Sequence, residues 1–103
     1  MELRGKQKRF LRSQAHHLNP IFQIGKGGLN NDMLIQIEEA LEKRELIKIT
    51  LLQNTDEVAE DVAEVLTKEI RCDVVQIIGR ALVLFKPSTQ EKYQKLSIDV
   101  RKI

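Results

Sequence analysis

Four short apolar runs, Ile21–Ile24, Leu46–Leu52, Asp73–Ile78 and Ala81–Phe85, are separated by stretches of helical period. That pattern limits the chain to an α/β architecture. In the second run Lys48 and Thr50 alternate with Ile47, Ile49 and Leu51, the two-residue repeat of a strand. Residues 3–18 read as a first helix, with Leu3, Phe10, Leu11, Ala15 and Leu18 on one broad arc. Asn19-Pro20 ends it, because a residue before proline avoids the helical region. A second helix is expected over about 31–43, packed through Met33, Leu34, Ile37, Ala40 and Leu41. Asn30 or Asn31 can cap it, and Asp32 suits the positive end of its dipole. Asn54-Thr55-Asp56-Glu57 reads as a capping box that opens a third helix over about 55–70. Its expected apolar face is Val58, Ala59, Val62, Val65, Leu66 and Ile70. Gly79-Arg80 folds the last two runs into a hairpin. Ser88 to Glu91 can cap a short final helix near 89–96, and the last residues read as a loose tail.

The order α-β-α-β-α-β-β predicts a compact domain with a four-stranded mixed sheet: parallel pairing in the two strand-helix-strand units, then one antiparallel hairpin. The order of strands across the sheet does not follow from the sequence. At 103 residues the chain has the size of one domain. Its aromatics are only Phe10, Phe22, Phe85 and Tyr93, so the core must be built from Leu, Ile and Val. No apolar run approaches the roughly 20 residues of a membrane span, and no apolar signal segment follows the first residues. Cys72 is the single cysteine, which excludes an internal disulfide and fits a reducing, cytoplasmic setting.

The formal net charge of +2 hides an asymmetry. Residues 1–28 carry Arg4, Lys6, Lys8, Arg9, Arg12 and Lys26 against Glu2, a net +5, while the remainder carries 11 cations against 14 acids, a net −3. On the first helix Lys6, Lys8, Arg9 and Arg12 fan out opposite the apolar arc, with Arg4 at the boundary. This basic ridge leads through the first strand to Gly25-Lys26-Gly27-Gly28. Three glycines admit backbone conformations closed to other residues and let a ligand's backbone approach. The following helix offers free N–H groups and a positive dipole end, and Lys26 adds a full charge. Such a loop suits a phosphate or a phosphodiester chain. Taken alone, an ordinary strand-to-helix turn explains the glycines equally well. The uncompensated ridge favours the phosphodiester, since several cations in a row release counterions from a polyanion. Neither the GxxxxGK[ST] nucleotide loop nor the GxGxxG dinucleotide fingerprint is present.

The stretch from Leu3-Arg4-Gly5-Lys6 to Ala15, then Pro20-Ile21-Phe22-Gln23-Ile24-Gly25-Lys26-Gly27-Gly28-Leu29, resembles the CRM (chloroplast RNA splicing and ribosome maturation) domain, and more closely its bacterial stand-alone YhbY-like members. Ile78-Gly79-Arg80-Ala81-Leu82-Val83-Leu84-Phe85-Lys86-Pro87 resembles the family's closing hairpin strand. The resemblance covers about residues 2–87, so it implies a domain over 1–87 with a short C-terminal helix and tail over 88–103. It implies an RNA-binding fold similar to the C-terminal domain of a bacterial translation initiation factor, and association with precursors of the large ribosomal subunit. The family's GxxG loop falls on Gly25, Lys26, Gly27 and Gly28, and its basic helix on Arg4, Lys6, Lys8, Arg9 and Arg12. Arg80 joins them if the hairpin turn lies beside the loop. With so few aromatics, recognition of backbone and shape is expected over base-by-base readout.

His16-His17 lacks further ligands for a metal and reads as a helix end, with a minor RNA contact open to it. Cys72 reads as a small packed residue, and Glu57, Glu60, Asp61 and Glu64 as a solvated helix face. No nucleophile-base pair, metal cluster or paired catalytic carboxylates stands out, so neither an enzyme nor a cofactor is expected. RNA, in particular ribosomal RNA, is the expected partner. The alternatives are a protein-interaction module docking through the acidic third helix and a DNA-binding architectural protein.

Overall fold

The structure is a computed structural model that describes residues 2–103. The elements run α1 (Gly5–Ala15), β1 (Phe22–Ile24), α2 (Asn31–Arg44), β2 (Leu46–Leu51), α3 (Ala59–Glu69), β3 (Asp73–Ile78), β4 (Ala81–Phe85), a single 3₁₀ turn (Glu91–Tyr93) and α4 (Leu96–Arg101). The expected α/β domain with a four-stranded mixed sheet is what the chain forms, in the order β1-β2-β4-β3. β1 pairs parallel with β2, whereas β4 pairs antiparallel with both β2 and β3. The expected parallel pairing of β2 with β3 is therefore corrected. The two point the same way, but the connection through α3 skips one strand position and β4 fills the slot, a split strand-helix-strand unit.

Alternation along β2 divides the core in two. Ile47, Ile49 and Leu51, with Ile24, Leu82 and Leu84, pack against Ile37 and Leu41 of α2 and Val62 and Leu66 of α3. On the other face Leu46, Val75, Val83 and Phe85 pack against Leu3, Leu11, Ala15 and Val100, so α1 and α4 form a third layer.

Three expectations about helices are corrected. α1 is shorter than 3–18 because Gln7 folds back at its start. The Gln7 Oε1 accepts the Arg4 N–H at 2.8 Å, and its Nε2 donates to the Val100 carbonyl at 3.0 Å. At the other end the chain turns off after Ala15, where the Leu18 N–H bonds the Ala15 carbonyl. α3 starts at Ala59, not 55, because no capping box forms. The Thr55 Oγ1 instead accepts the Glu57 N–H at 3.2 Å, a local turn that competes with helix. Val58 is then an extended cap residue, 51% exposed, and Val65 is 40% exposed, so neither belongs to the apolar face.

The last residues are not a loose tail. The final helix lies at Leu96–Arg101, beyond the expected 89–96, and Val100 is fully buried. Glu45, fully buried with a left-handed φ of 64°, turns the chain from α2 into β2. Its carboxylate accepts the N–H groups of Ser88 and Lys95 at 2.8 Å and of Ser97 at 3.2 Å. Burial alone would raise its pKa, but hydrogen bonds from Ser97, Ser88 and Lys95 outweigh that and hold it below the ordinary value. Nearby Glu42 accepts the Thr89 N–H at 2.8 Å. Two carboxylates thus fasten the C-terminal segment to α2.

Candidate nucleic-acid interface

Fully buried Ile24 fixes the base of the glycine loop, and its carbonyl accepts the Leu52 N–H at 2.8 Å. The Gly28 N–H closes on the Gly25 carbonyl at 3.0 Å, which puts Lys26 and Gly27 at the tip of a tight turn. Both are exposed, and a Cβ on Gly27 would meet nothing within 4 Å. Gly28 has φ +66°, and a Cβ there would stand 3.0 Å from a Glu57 carboxylate oxygen. The left-handed backbone disfavours any side chain, whereas the Glu57 carboxylate can swing aside, so Gly28→Ala is expected to lower stability by about 1–2 kcal/mol in urea unfolding. Directly after the loop the Asn30 side chain accepts the Met33 N–H at 2.9 Å and starts α2. Of the two expected caps Asn30 is the one used, and α2 then runs one residue past the expected 43.

The hairpin turn does lie at this end of the sheet. The Arg80 Nη1 donates to the Leu52 carbonyl at 3.1 Å, and the Leu51 N–H bonds the Arg80 carbonyl at 2.7 Å. Leu52 thereby bridges the guanidinium to the base of the glycine loop, since its own N–H is held by Ile24. The sequence reading missed the role of residues 52–58. Glu57 belongs not to a helix face but against Gly28, and with Asp56 and Glu60 it lines a hollow shared with Gly79 and Arg80. Arg80 thus faces carboxylates on one side, although none pairs with it among the described residues. The signal was available in Thr55, whose hydroxyl favours turns as readily as helix caps.

The basic residues of α1 lie on the face of the sheet away from α2 and α3. Lys6 and Arg9 are exposed. Arg12 reaches over the edge strand, where its Nε donates to the Val75 carbonyl at 3.4 Å. Lys8 stands near Asp73; burial raises the pKa of that carboxyl against the opposing pull of nearby positive charge, Lys8 included. Arg4 is tied to the Ile103 carbonyl. Among the described residues the one ion pair is Lys86–Glu38 at 3.7 Å, so none of the candidate cations pairs with an Asp or Glu side chain there. The structure brings Gly25, Lys26, Gly27, Gly28 and Arg80 together at one end of the sheet. Arg4, Lys6, Lys8, Arg9 and Arg12 stand apart on the α1 layer, and no hydrogen bond or ion pair joins them to the loop among the described residues.

The residues set aside in the sequence keep plain roles. His16 and His17 are exposed and stack edge to face with ring centres 6.0 Å apart. Cys72 is buried, which pushes its thiol up to about 11 and leaves it a packing residue. Among the described residues no group of three or more His, Cys, Asp or Glu is placed to hold a metal ion, and no helix is long and apolar enough to cross a membrane.

Known proteins share this arrangement. Residues 3–86 match the model of the CRS1/YhbY (CRM) domain. The Bacillus subtilis (strain 168) protein named Probable RNA-binding protein YqeI is 60% identical over 94 residues, which cover 91% of this chain and 98% of that one. A Haemophilus influenzae protein named RNA-binding protein is 40% identical over 89 residues, 86% of this chain and 90% of its own. The solution structure of SAV1595 from Staphylococcus aureus superposes with a TM-score of 0.74 at 48% identity, covering 91% of this chain and 98% of that one. The matched span holds the basic helix, the glycine loop and the hairpin arginine, and by that match the chain belongs to the CRS1/YhbY (CRM) domain family.

Proposed function

We propose that this protein binds RNA, specifically ribosomal RNA in precursors of the large subunit, as a non-enzymatic assembly factor in the cytoplasm. The observation that carries the reading is the set of exposed cations that have no carboxylate partner among the described residues, Lys6, Arg9, Arg12, Lys26 and Arg80, spread over one layer and one end of the fold. Lys26 at the tip of an open glycine turn meets phosphate without hindrance, and the side-chain-free Gly27 lets the RNA backbone come close. Arg80 beside the loop and the cations of α1 extend the positive track, with Glu60 of α3 sharing a hollow with Arg80 and another with Arg12. The names of the relatives, which refer to RNA binding, support the polymer class.

The test is binding of the wild type to large-subunit ribosomal RNA across a salt series, with duplex DNA as the control. A preference for RNA and a linear fall of log K with log salt are expected, with a slope of about −0.7 per phosphate contacted on single strands. Equal binding to DNA would assign the surface to polyanions at large. No binding to either would move the function to a protein partner on the acidic third helix.

A further inference from the structure

The register of the sheet places side chains from all four strands in one row. Gln23 stands opposite Thr50, Thr50 opposite Ala81, and Ala81 opposite Ile78. All four belong to the face that carries α1, because they share the alternation of Leu46, Val83 and Phe85. Yet α1 and α4 cover only the other end of that face. Leu46, Val83 and Phe85 are buried beneath them, whereas Gln23 is exposed, Thr50 and Ala81 are half-buried and Ile78 is 55% exposed. A four-strand row spans about 14 Å at the usual spacing between strands.

The row is neutral and its borders are cationic. Arg80 adjoins Ala81, and its carbonyl accepts the Thr50 hydroxyl at 3.3 Å. Lys26 is three residues beyond Gln23. In the next row Lys48 is half-buried, and beyond it Arg12 leans on Val75. Phosphates are drawn to the rim, which leaves the uncharged floor for what lies between phosphates. The Gln23 amide both donates and accepts, the Thr50 hydroxyl, whose proton goes to the Arg80 carbonyl, accepts, and Ala81 and Ile78 offer a low apolar surface. These are the groups that meet the edges and faces of unstacked bases. A duplex turns its bases inward and cannot use them.

Resting on the RNA reading above, we infer that the row Gln23, Thr50, Ala81 and Ile78 is a base-contacting site for a single-stranded RNA segment whose phosphates lie along Lys26 and Arg80. It adds sequence preference to an otherwise backbone-directed surface.

The experiment selects bound molecules from a random-sequence single-stranded RNA pool with the wild type, with Lys26→Glu and with the triple variant Gln23→Ala, Thr50→Val, Ile78→Thr. The Ala81 and Ile78 methyl signals of the wild type are followed as the best-bound oligonucleotide is added. The wild type is expected to enrich particular bases over a short run by about 10-fold. The triple variant should lose that enrichment while its salt slope stays, and Lys26→Glu should lower the slope while the preference stays. Both methyl signals should shift. A wild type that binds without enriching any base overturns the inference. So do unshifted methyls, or a triple variant that keeps the preference, and in each case salt-dependent binding through Lys26 still stands. Failure of the wild type to bind any RNA sinks the RNA reading and this inference together.

Discussion

Reversing Arg9, Arg12 and Lys26 to glutamate is expected to lower RNA affinity on the order of 100-fold at moderate salt and to reduce the salt slope by about 2. The slope follows from three lost phosphate contacts at about 0.7 each on single strands. Further loss comes from the new acids, which repel the same phosphates. The fold should survive. Among the described residues the Arg9 and Lys26 side chains make no hydrogen bond or ion pair, and Arg12 makes one long bond to a carbonyl at the sheet edge. A far-ultraviolet spectrum and a melting curve check that survival alongside fluorescence polarisation of the RNA. Well-folded protein with unchanged affinity would rule the surface out.

The second large effect concerns stability. Glu45→Ala is expected to cost about 3 kcal/mol and to lower Tm by more than about 10 °C. Three backbone N–H groups lose a charged acceptor in a buried site, and the segment they hold carries Val100 into the core. Alanine at φ 64° is no easier than glutamate, so the substitution isolates the side chain from the backbone conformation. Glu45→Gln keeps the shape but not the charge and should cost about 1–2 kcal/mol. The pH dependence has a definite sign. A carboxyl held below its unfolded pKa, about 4.3 for glutamate, contributes in full above that value. The contribution fades as pH falls through the folded value. The gap between wild type and Glu45→Gln in urea unfolding should therefore be widest near neutrality and close in acid. A gap that stays constant down to pH 3 would show that charge at Glu45 does not matter.

The strands were legible because their signal is local. Lys48 and Thr50 alternate with Ile47, Ile49 and Leu51 whatever lies beside them. The glycine turn was legible for the same reason, and Gly79-Arg80 gave the hairpin that carries Arg80 to it. What escaped is what depends on distant partners. β4 lies between β2 and β3 because of the skipped position above α3, and no residue in β4 announces its neighbours. Glu45 looks in the sequence like one more acid near a helix end, and only the N–H groups of residues 88–97 make it a latch. Thr55 had two local uses, and the turn won over the cap. The open row of Gln23, Thr50, Ala81 and Ile78 draws one residue from each strand, so it exists only once the register is set.

β4, the strand that joins β2 to β3, has a consequence for how the molecule is made. A chain emerging from its N-terminus has the basic helix, the glycine loop and both long helices before it has the residues that complete the sheet. Leu11 and Ala15 must wait for Val83, Phe85 and Val100 to gain their apolar bed, and Gln7 waits for the Val100 carbonyl. The cationic helix therefore has no fixed place until the residues of β4 and α4 have been made. The part of the positive surface that α1 carries is thereby set together with the second half of the core.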